Sequence, residues 1–164
     1  MTPVSSATAQ GKAISASRVT LAQLMQPTHA NLQGSVHGGI IMKLMDEAGA
    51  SAAMRHAGRP VVTVAVDQVL FREPIQLGDL VTVNAGLTYV GRSSMEVRIE
   101  VTAQNLLTGL STYTNTAYFV YVALDDARRP IGVPPLLLES DAEREQWERA
   151  KERQTHRLAQ RQAG

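Results

Sequence analysis

The feature that most constrains this chain is a two-residue periodicity that extends from Val61 to about Leu124. Strands with one buried face alternate apolar and polar side chains in this way. The run at 94–103 is the clearest case, and a similar run at 81–90 precedes it. The segment VGRSS between them, residues 90–94, is short enough for a hairpin. The periodicity predicts strands at 61–71, 81–90, 94–103 and 111–124, after a first short strand at 18–25.

A single long helix is predicted ahead of these strands, from Gly38 to Ala57, with His56 as a cation near its end and Gly58 as the C′ glycine. Strands joined by short turns pair antiparallel, because a parallel return needs a crossover of about a dozen residues or more. The sheet is therefore expected to be an antiparallel meander. Its apolar face needs a cover and this helix is mostly apolar, so the expected fold class is α+β, a sheet curled around a central helix.

The two ends of the chain differ from its middle in composition. Residues 1–17 are small, polar and free of acids, and with one lysine and no arginine they predict a disordered tail rather than a targeting peptide. Residues 18–138 are expected to form the folded domain. In 139–164, Ser140 and Glu143 have capping-box spacing, which predicts a charged surface helix docked through Trp147. An RNA-binding tail is the alternative, which the interleaved acids disfavour.

Charge and cysteine content exclude several functional classes. With 16 Lys+Arg against 15 Asp+Glu, the chain has no overall field that would attract nucleic acid or an anionic membrane. The absence of cysteine excludes disulfides, thiolate metal sites and cysteine nucleophiles. No apolar run approaches the ~20 residues that span a bilayer. We expect a cytoplasmic protein with no metal, no nucleic-acid partner and no membrane insertion.

Two adjacent acids interrupt the apolar helix, and their surroundings differ. Asp46 has Gly49 and Ala50 at helical spacing, so it lies on a face of small residues that another group can approach closely. Glu47 has Lys43 one turn before it, which suits a solvated rim position. Exposure of both acids on a plain surface helix is the simpler interpretation, but the apolar neighbours leave only a narrow polar strip. A partly desolvated carboxylate is more basic towards water, which makes Asp46 the catalytic candidate.

Polar and glycine residues gather just before and at the predicted helix start. The first amides of a helix have no intrahelical partner, so Gly38 and Gly39 could present them to an anion or form an oxyanion hole, or could only make the turn. His37 could be a general base, a ligand or a helix cap, and no second ligand at metal spacing accompanies it. Asn31 lies upstream and by itself indicates a turn.

The predicted hairpin VGRSS carries one arginine and two hydroxyls. Its simplest interpretation is a turn with a solvated arginine, but these groups could also bind phosphate. The candidates are Arg92, Ser93 and Ser94.

The pattern N-x-x-G-x-x-H-G-G followed after six residues by D-E resembles the signature of hotdog-fold acyl-CoA thioesterases. The runs HGGIIMKLMDEAGASAAMRH, VDQVLF and VGRSSMEV resemble in particular the cytosolic acyl-CoA hydrolases and their single-domain bacterial relatives, over about residues 18–155. The residues that carry the pattern are Asn31, Gly34, His37, Gly38, Gly39, Asp46 and Glu47.

This resemblance implies a hotdog fold, with the sheet wrapped around the helix, and homodimers with a continuous sheet that assemble further as trimers of dimers. It implies an active site at the dimer interface, with Asp46 as the catalytic carboxylate and Asn31 as the catalytic asparagine from opposite subunits. The amide of Gly39 or Gly38 would polarise the thioester carbonyl. Candidate contacts to the substrate and its CoA are His37, Arg92, Ser93 and Ser94.

The implied reaction is hydrolysis of acyl-CoA to a free acid and CoA, with no cofactor other than the CoA of the substrate. Asp46 would activate water or attack directly to form an anhydride, and no sequence feature decides between them. One alternative is a hotdog hydratase or dehydratase, which uses a catalytic histidine in a proline-containing loop that the His-Gly-Gly lacks. Another is a non-catalytic acyl-CoA-binding module.

Overall fold

The computed structural model describes residues 10–163, which form a five-stranded antiparallel sheet with one helix on each face. No helix in this range has the length and hydrophobicity needed to cross a bilayer. Short 3-10 turns lie at Ile14–Ala16 and Pro27–His29. The helices are Gly38–Ala57 (α1) and Asp141–Ala163 (α2). The strands are Lys12–Ala13 (β1), Val19–Leu24 (β2), Val61–Val66 (β3), Asp79–Val90 (β4), Ser94–Asn105 (β5), Ser111–Ala123 (β6) and Leu136–Leu137 (β7).

Helix α1 begins and ends at the predicted residues because both of its ends carry local signals. His37 is the N-cap, and its Nδ1 accepts a hydrogen bond from the Gly39 amide at 2.9 Å. Gly58 follows the last turn in the left-handed region at φ 63°, where glycine is favoured, and its amide donates to the Met54 carbonyl.

The cation at the end of α1 is Lys12, not His56 as predicted. Lys12 Nζ donates to the His56 carbonyl at 2.9 Å and so satisfies a helix-end acceptor. The His56 side chain is fully buried, with Nε2 2.7 Å from the Pro134 carbonyl oxygen. Nδ1 of His56 has no partner among the described residues. A neutral imidazole with its proton on Nε2 suits this position, because it leaves no buried charge.

The sheet order is β2-β4-β5-β6-β3, so only part of the predicted meander is correct. Strands β4, β5 and β6 follow one another as expected, and β2 pairs with β4. Strand β3 instead lies at the far edge, beside β6. The strand predicted over 61–71 stops at Val66, and residues 67–78 carry the chain across the sheet to β4. A connection of that length can cross, unlike a short turn.

Helix α1 packs on the inner face of the sheet.

The alternation of buried and exposed side chains predicted for β4 fails after Leu87, where the register with β5 shifts. Thr88 is consequently buried, and Tyr89 leaves the core to lie against Trp147 of α2, with ring centroids 5.4 Å apart. The fully buried core residues include Met45, Ala48, Ala52, Ala53, Val81, Val83, Met95, Val97, Ile99, Val101 and Tyr121.

Helix α2 covers the outer face of the sheet through an ion-pair network as well as through Trp147. Glu96, on the polar face of β5, is only 1% exposed. Arg153 donates to both carboxylate oxygens of Glu96, at 2.8 and 3.1 Å. Arg157 donates to Glu96 and also to both oxygens of Asp67, at 3.0 and 3.1 Å. The network supplies the partners that a buried carboxylate requires.

The prediction of a disordered tail over residues 1–17 is wrong for residues 10–17. Lys12–Ala13 pairs in parallel with Leu136–Leu137, and Ile14 is only 4% exposed. Apolar burial at Ile14 and the Lys12 contact with α1 hold this segment on the domain. Residues 1–9 lie outside the described residues.

Buried His56 predicts loss of stability in mild acid. Burial lowers the pKa of His56, the bond to the Pro134 carbonyl opposes this, and Lys12 lowers the pKa further. In the unfolded chain the imidazole protonates at about pH 6.5. The stability that neutral His56 contributes is therefore fully present above that pH and is lost as the pH falls below it. His56→Gln keeps an amide donor for Pro134 but does not titrate.

We therefore expect the free energy of unfolding of His56→Gln, measured with urea at pH 7, 6 and 5, to fall less steeply with decreasing pH than that of the parent. His156→Gln changes an exposed histidine of α2 and should retain the parental slope. Equal slopes for the parent and His56→Gln would contradict the assignment.

Candidate active site

The Asp46 carboxylate is half-buried on α1 and is held by two hydroxyl groups of the sheet. Thr63 Oγ1 donates to Asp46 Oδ1 at 2.7 Å, and the Tyr121 hydroxyl donates to the same oxygen at 3.1 Å. Burial and the neighbouring Asp46 carboxylate raise the pKa of Tyr121 well above its ordinary value, so its hydroxyl stays protonated. Both contacts restrain the orientation of the carboxylate.

The two hydroxyls reach Asp46 because they share one face of the sheet. Thr63 of β3 and Tyr121 of β6 are direct cross-strand partners. A register shift between Thr63 and Ala65 follows at once. Such β-bulges re-aim side chains and are common beside active sites.

Strand β3 is an edge of the sheet, so Asp46 stands beside a sheet edge. Within residues 10–163 no strand pairs with the outer side of β3. Val64 and Val66 of this strand are 51% and 42% exposed. An edge with unpaired backbone groups and exposed apolar side chains is a typical place for another strand to pair.

Glu47 occupies the solvated position that its spacing predicts. Its side chain is exposed and lies 3.6 Å from Lys43 Nζ. The two neighbouring acids of α1 therefore differ in environment, and only Asp46 is bound by the sheet.

The start of α1 forms a second group of candidate residues. Asn31, Gly38 and Phe71 line a cavity of about 380 Å³. The Gly39 amide is already bound by His37, which acts as the helix cap. The Gly38 amide has no acceptor among the described residues, so it is the donor left for a ligand oxygen.

Asn31 forms the turn that its sequence position predicts, and also borders this cavity. Its Oδ1 accepts hydrogen bonds from the amides of Gln33 and Ser35, at 2.9 and 3.2 Å. Its Nδ2 donates to Ser35 Oγ at 3.0 Å. These bonds fix the side chain at the cavity wall.

One chain does not bring these two groups together. Asp46 follows Gly38 by eight residues, which is about 12 Å along a helix axis. The cavity lined by Asn31 and Gly38 does not include Asp46. Groups that act on the same bond need to lie within about 3–3.5 Å of their targets, so the separation is too large for one thioester-sized group.

The hairpin residues Arg92, Ser93 and Ser94 have different positions. The carbonyls of Arg92 and Ser93 accept hydrogen bonds from Val133 and Ala123, and the Ser94 carbonyl closes the hairpin. The Arg92 side chain is exposed, as in a simple turn. Ser93 lines a groove of about 840 Å³ beside β3, together with side chains that include Arg128, Arg157 and Arg161.

Thr63 and Tyr121 were not predicted as site residues from the sequence, because each lies in an ordinary strand pattern and gives no local signal.

The sequence predicted no metal site. Within the part of the chain that the structure describes, no group of three or more His, Asp or Glu side chains is arranged to hold a metal ion.

Residues 33–109 match the Thioesterase superfamily. The chain is 34% identical over 151 residues to the cytosolic acyl coenzyme A thioester hydrolase of Rattus norvegicus. This alignment covers 91% of the chain and 40% of that relative, so the chain spans less than half of the relative's length.

Solved structures of an acyl-CoA thioesterase and an acyl-CoA hydrolase are similar to this chain over nearly its whole length. A hexameric acyl-CoA thioesterase in its apo form is 33% identical with a TM-score of 0.87, covering 92% of this chain and 97% of the other. The acyl-CoA hydrolase of Staphylococcus aureus, solved in complex with butyryl coenzyme A and coenzyme A, is 34% identical with a TM-score of 0.83, covering 92% of both chains. Variants of that enzyme with an aspartate, an asparagine or a threonine replaced by alanine have also been solved. With its sheet wrapped around α1, the chain belongs to the thioesterase superfamily, among the hotdog-fold acyl-CoA thioesterases.

Proposed function

We propose that this chain hydrolyses the thioester of acyl-CoA, releasing a carboxylic acid and CoA. The observation that carries the proposal is the Asp46 carboxylate at the sheet edge, with Oδ1 held by hydroxyls. The asparagine, aspartate and threonine replaced in the Staphylococcus aureus hydrolase are 15 and 17 residues apart in chain order. Asn31, Asp46 and Thr63 have the same separations, which supports their equivalence.

In the proposed mechanism the Gly38 amide donates to the thioester oxygen and stabilises the oxyanion. Asn31 holds the attacking water or the substrate, and Asp46 removes a proton from that water as general base. The resulting hydroxide attacks the carbonyl carbon. Collapse of the tetrahedral intermediate breaks the carbon–sulfur bond, and the departing thiolate recovers the proton from Asp46. No cofactor enters this scheme, and the reaction is consistent with the expected cytoplasmic location.

Each site is shared between two protomers in this proposal. Asp46 and Gly38 of one chain are too far apart to act together, so Asp46 of one protomer serves Asn31 and Gly38 of its partner. Pairing of two β3 strands would continue the sheet and satisfy the backbone groups at this edge. The hexameric state of a structural neighbour supports further assembly as a trimer of dimers.

The groove beside β3 is the proposed binding site for the phosphates of CoA. Arg128 and Arg161 line it with Ser93, and guanidinium groups are effective phosphate ligands. Arg128 adopts a left-handed backbone conformation, at φ 61°, which is uncommon for a residue with a side chain. We therefore propose Ser93, Arg128 and Arg161 as the phosphate contacts in place of Arg92, which does not line this groove.

A thiol-release assay with a panel of acyl-CoAs tests the function directly. We expect turnover by the parent protein and a fall in kcat of about 10²–10⁴-fold for Asp46→Asn, because the amide cannot accept the proton. Glu47→Gln changes the exposed neighbouring acid and should retain most activity. Absence of thiol release from every chain length by folded protein contradicts the proposal. Binding of acyl-CoA without turnover would indicate a binding module instead.

Gly38→Pro tests the oxyanion donor. Proline is favoured at the first helical position, and His37 already has the extended conformation, φ −64° and ψ 127°, that a residue before proline prefers. The substitution removes the amide proton and adds a ring at the site, and we expect kcat to fall by about 10²–10³-fold. Gly38→Ala keeps the amide, and its Cβ would make an ordinary 3.5 Å contact with Phe71. Equal activity of the two variants would exclude Gly38 as the donor.

Mixing Asn31→Ala protein with Asp46→Ala protein tests the shared site. Each homodimer should be inactive, whereas a mixed dimer has one interface with both residues intact. Statistical exchange should restore about one quarter of parental activity. Mass spectrometry of differently tagged subunits verifies the mixed dimers. If they form without recovered activity, the site lies within one chain.

A further inference from the structure

The two oxygens of the Asp46 carboxylate have unequal environments. Oδ1 accepts hydrogen bonds from both Thr63 and Tyr121. The Tyr121 hydroxyl also lies 3.2 Å from the backbone carbonyl oxygen of Asp46. No residue in the described range 10–163 donates to Oδ2. The sheet thus holds one oxygen and leaves the other for water or substrate.

Tyr121 reaches Asp46 only because residue 49 is glycine. A Cβ on Gly49 would lie 2.3 Å from the Tyr121 hydroxyl oxygen and 2.8 Å from Ile99 Cδ1, both closer than atoms can approach. Glycine inside a helix costs about 1 kcal/mol relative to alanine. No unusual backbone angle requires it here, since Gly49 has a φ in the ordinary helical range. The small-residue face predicted from sequence is therefore occupied by Tyr121.

The hydroxyl of Tyr121 is itself an unusual group for its location. The side chain is fully buried in the core, next to Phe119. A buried hydroxyl is unfavourable without a hydrogen-bond partner, and phenylalanine would fill the same space without that requirement. Its side-chain partner here is the Asp46 carboxylate. The polar group in the core is thus explained by its contact with the site.

We propose that Tyr121 is a positioning residue for acyl-CoA hydrolysis, which fixes the Asp46 carboxylate through Oδ1 so that Oδ2 takes the proton from water. Gly49 provides the space that this contact needs. A carboxylate with two hydroxyl donors on one oxygen is restrained in rotation. The inference rests on the proposed function, because it assigns a role within that reaction.

Tyr121→Phe removes the hydroxyl and keeps the ring. We expect kcat to fall about 10-fold with little change in KM, because the carboxylate loses a contact that orients it while substrate binding is unchanged. A residue that only supports the fold would not separate kcat from KM in this way. Tyr118→Phe makes the same change on the same strand, where the ring stacks under Arg153, and should keep the parental kcat and KM.

Gly49→Ala provides a second variant in which the hydroxyl is present but displaced. We expect it to lower kcat as well, and to have a smaller effect on kcat in a Tyr121→Phe background, because the two changes disturb one contact. Parental kcat values for both single variants would overturn the inference while thiol release by the parent leaves the proposed function intact. Absence of thiol release by the parent would overturn both.

Discussion

The close packing of α1 on the inner face of the sheet determines where the chemical groups of this protein can act. Fully buried alanines at 48, 52 and 53 let the helix approach the strands closely. The helix is a rigid element, so the distance between the Gly38 amide and the Asp46 carboxylate is set by its rise per residue. In the proposed shared site, these two groups of one chain therefore serve different partners.

The outer face of the sheet depends on a different kind of interaction. Glu96 is buried, and Arg153 and Arg157 of α2 satisfy it with directed hydrogen bonds. Such a network adds little net stability compared with an apolar contact, but loss of one partner leaves a buried charge and is strongly destabilising. It therefore specifies the position of α2 more than it strengthens the fold. Arg157 also binds Asp67, directly after β3, and so connects α2 to the edge strand beside the site.

How much the sequence predicts depends on whether the signal is local. The limits of α1 are readable because His37 and Gly58 are caps, and the hairpin at 90–94 is readable from its short length. The pairing of β3 with β6 cannot be predicted in this way, because alternation indicates that a strand exists but not which strand lies next to it. The failed alternation at Thr88 has the same origin, because a bulge depends on pairing.

The same distinction separates the predicted site residues from those that were missed. Asp46 stands out because a narrow polar strip on an apolar helix is visible in the sequence. Thr63 and Tyr121 lie 17 and 75 residues away from it, and only the folded sheet brings their hydroxyls to one oxygen. The hydrogen bond from the Gly39 amide to His37 could not be predicted either, because the sequence indicates a possible cap but not which amide it binds.

The position of the Glu96 partners has a consequence for the order of events during synthesis. Glu96 precedes Arg153 by 57 residues and Arg157 by 61, so a ribosome completes all five strands of the sheet before either arginine is made. Until then the carboxylate of Glu96 can remain hydrated on the open outer face. Docking of α2 removes that water and brings Arg153 and Arg157 to Glu96 and Asp67. Both acids that bind α2 are thus synthesised before the helix itself.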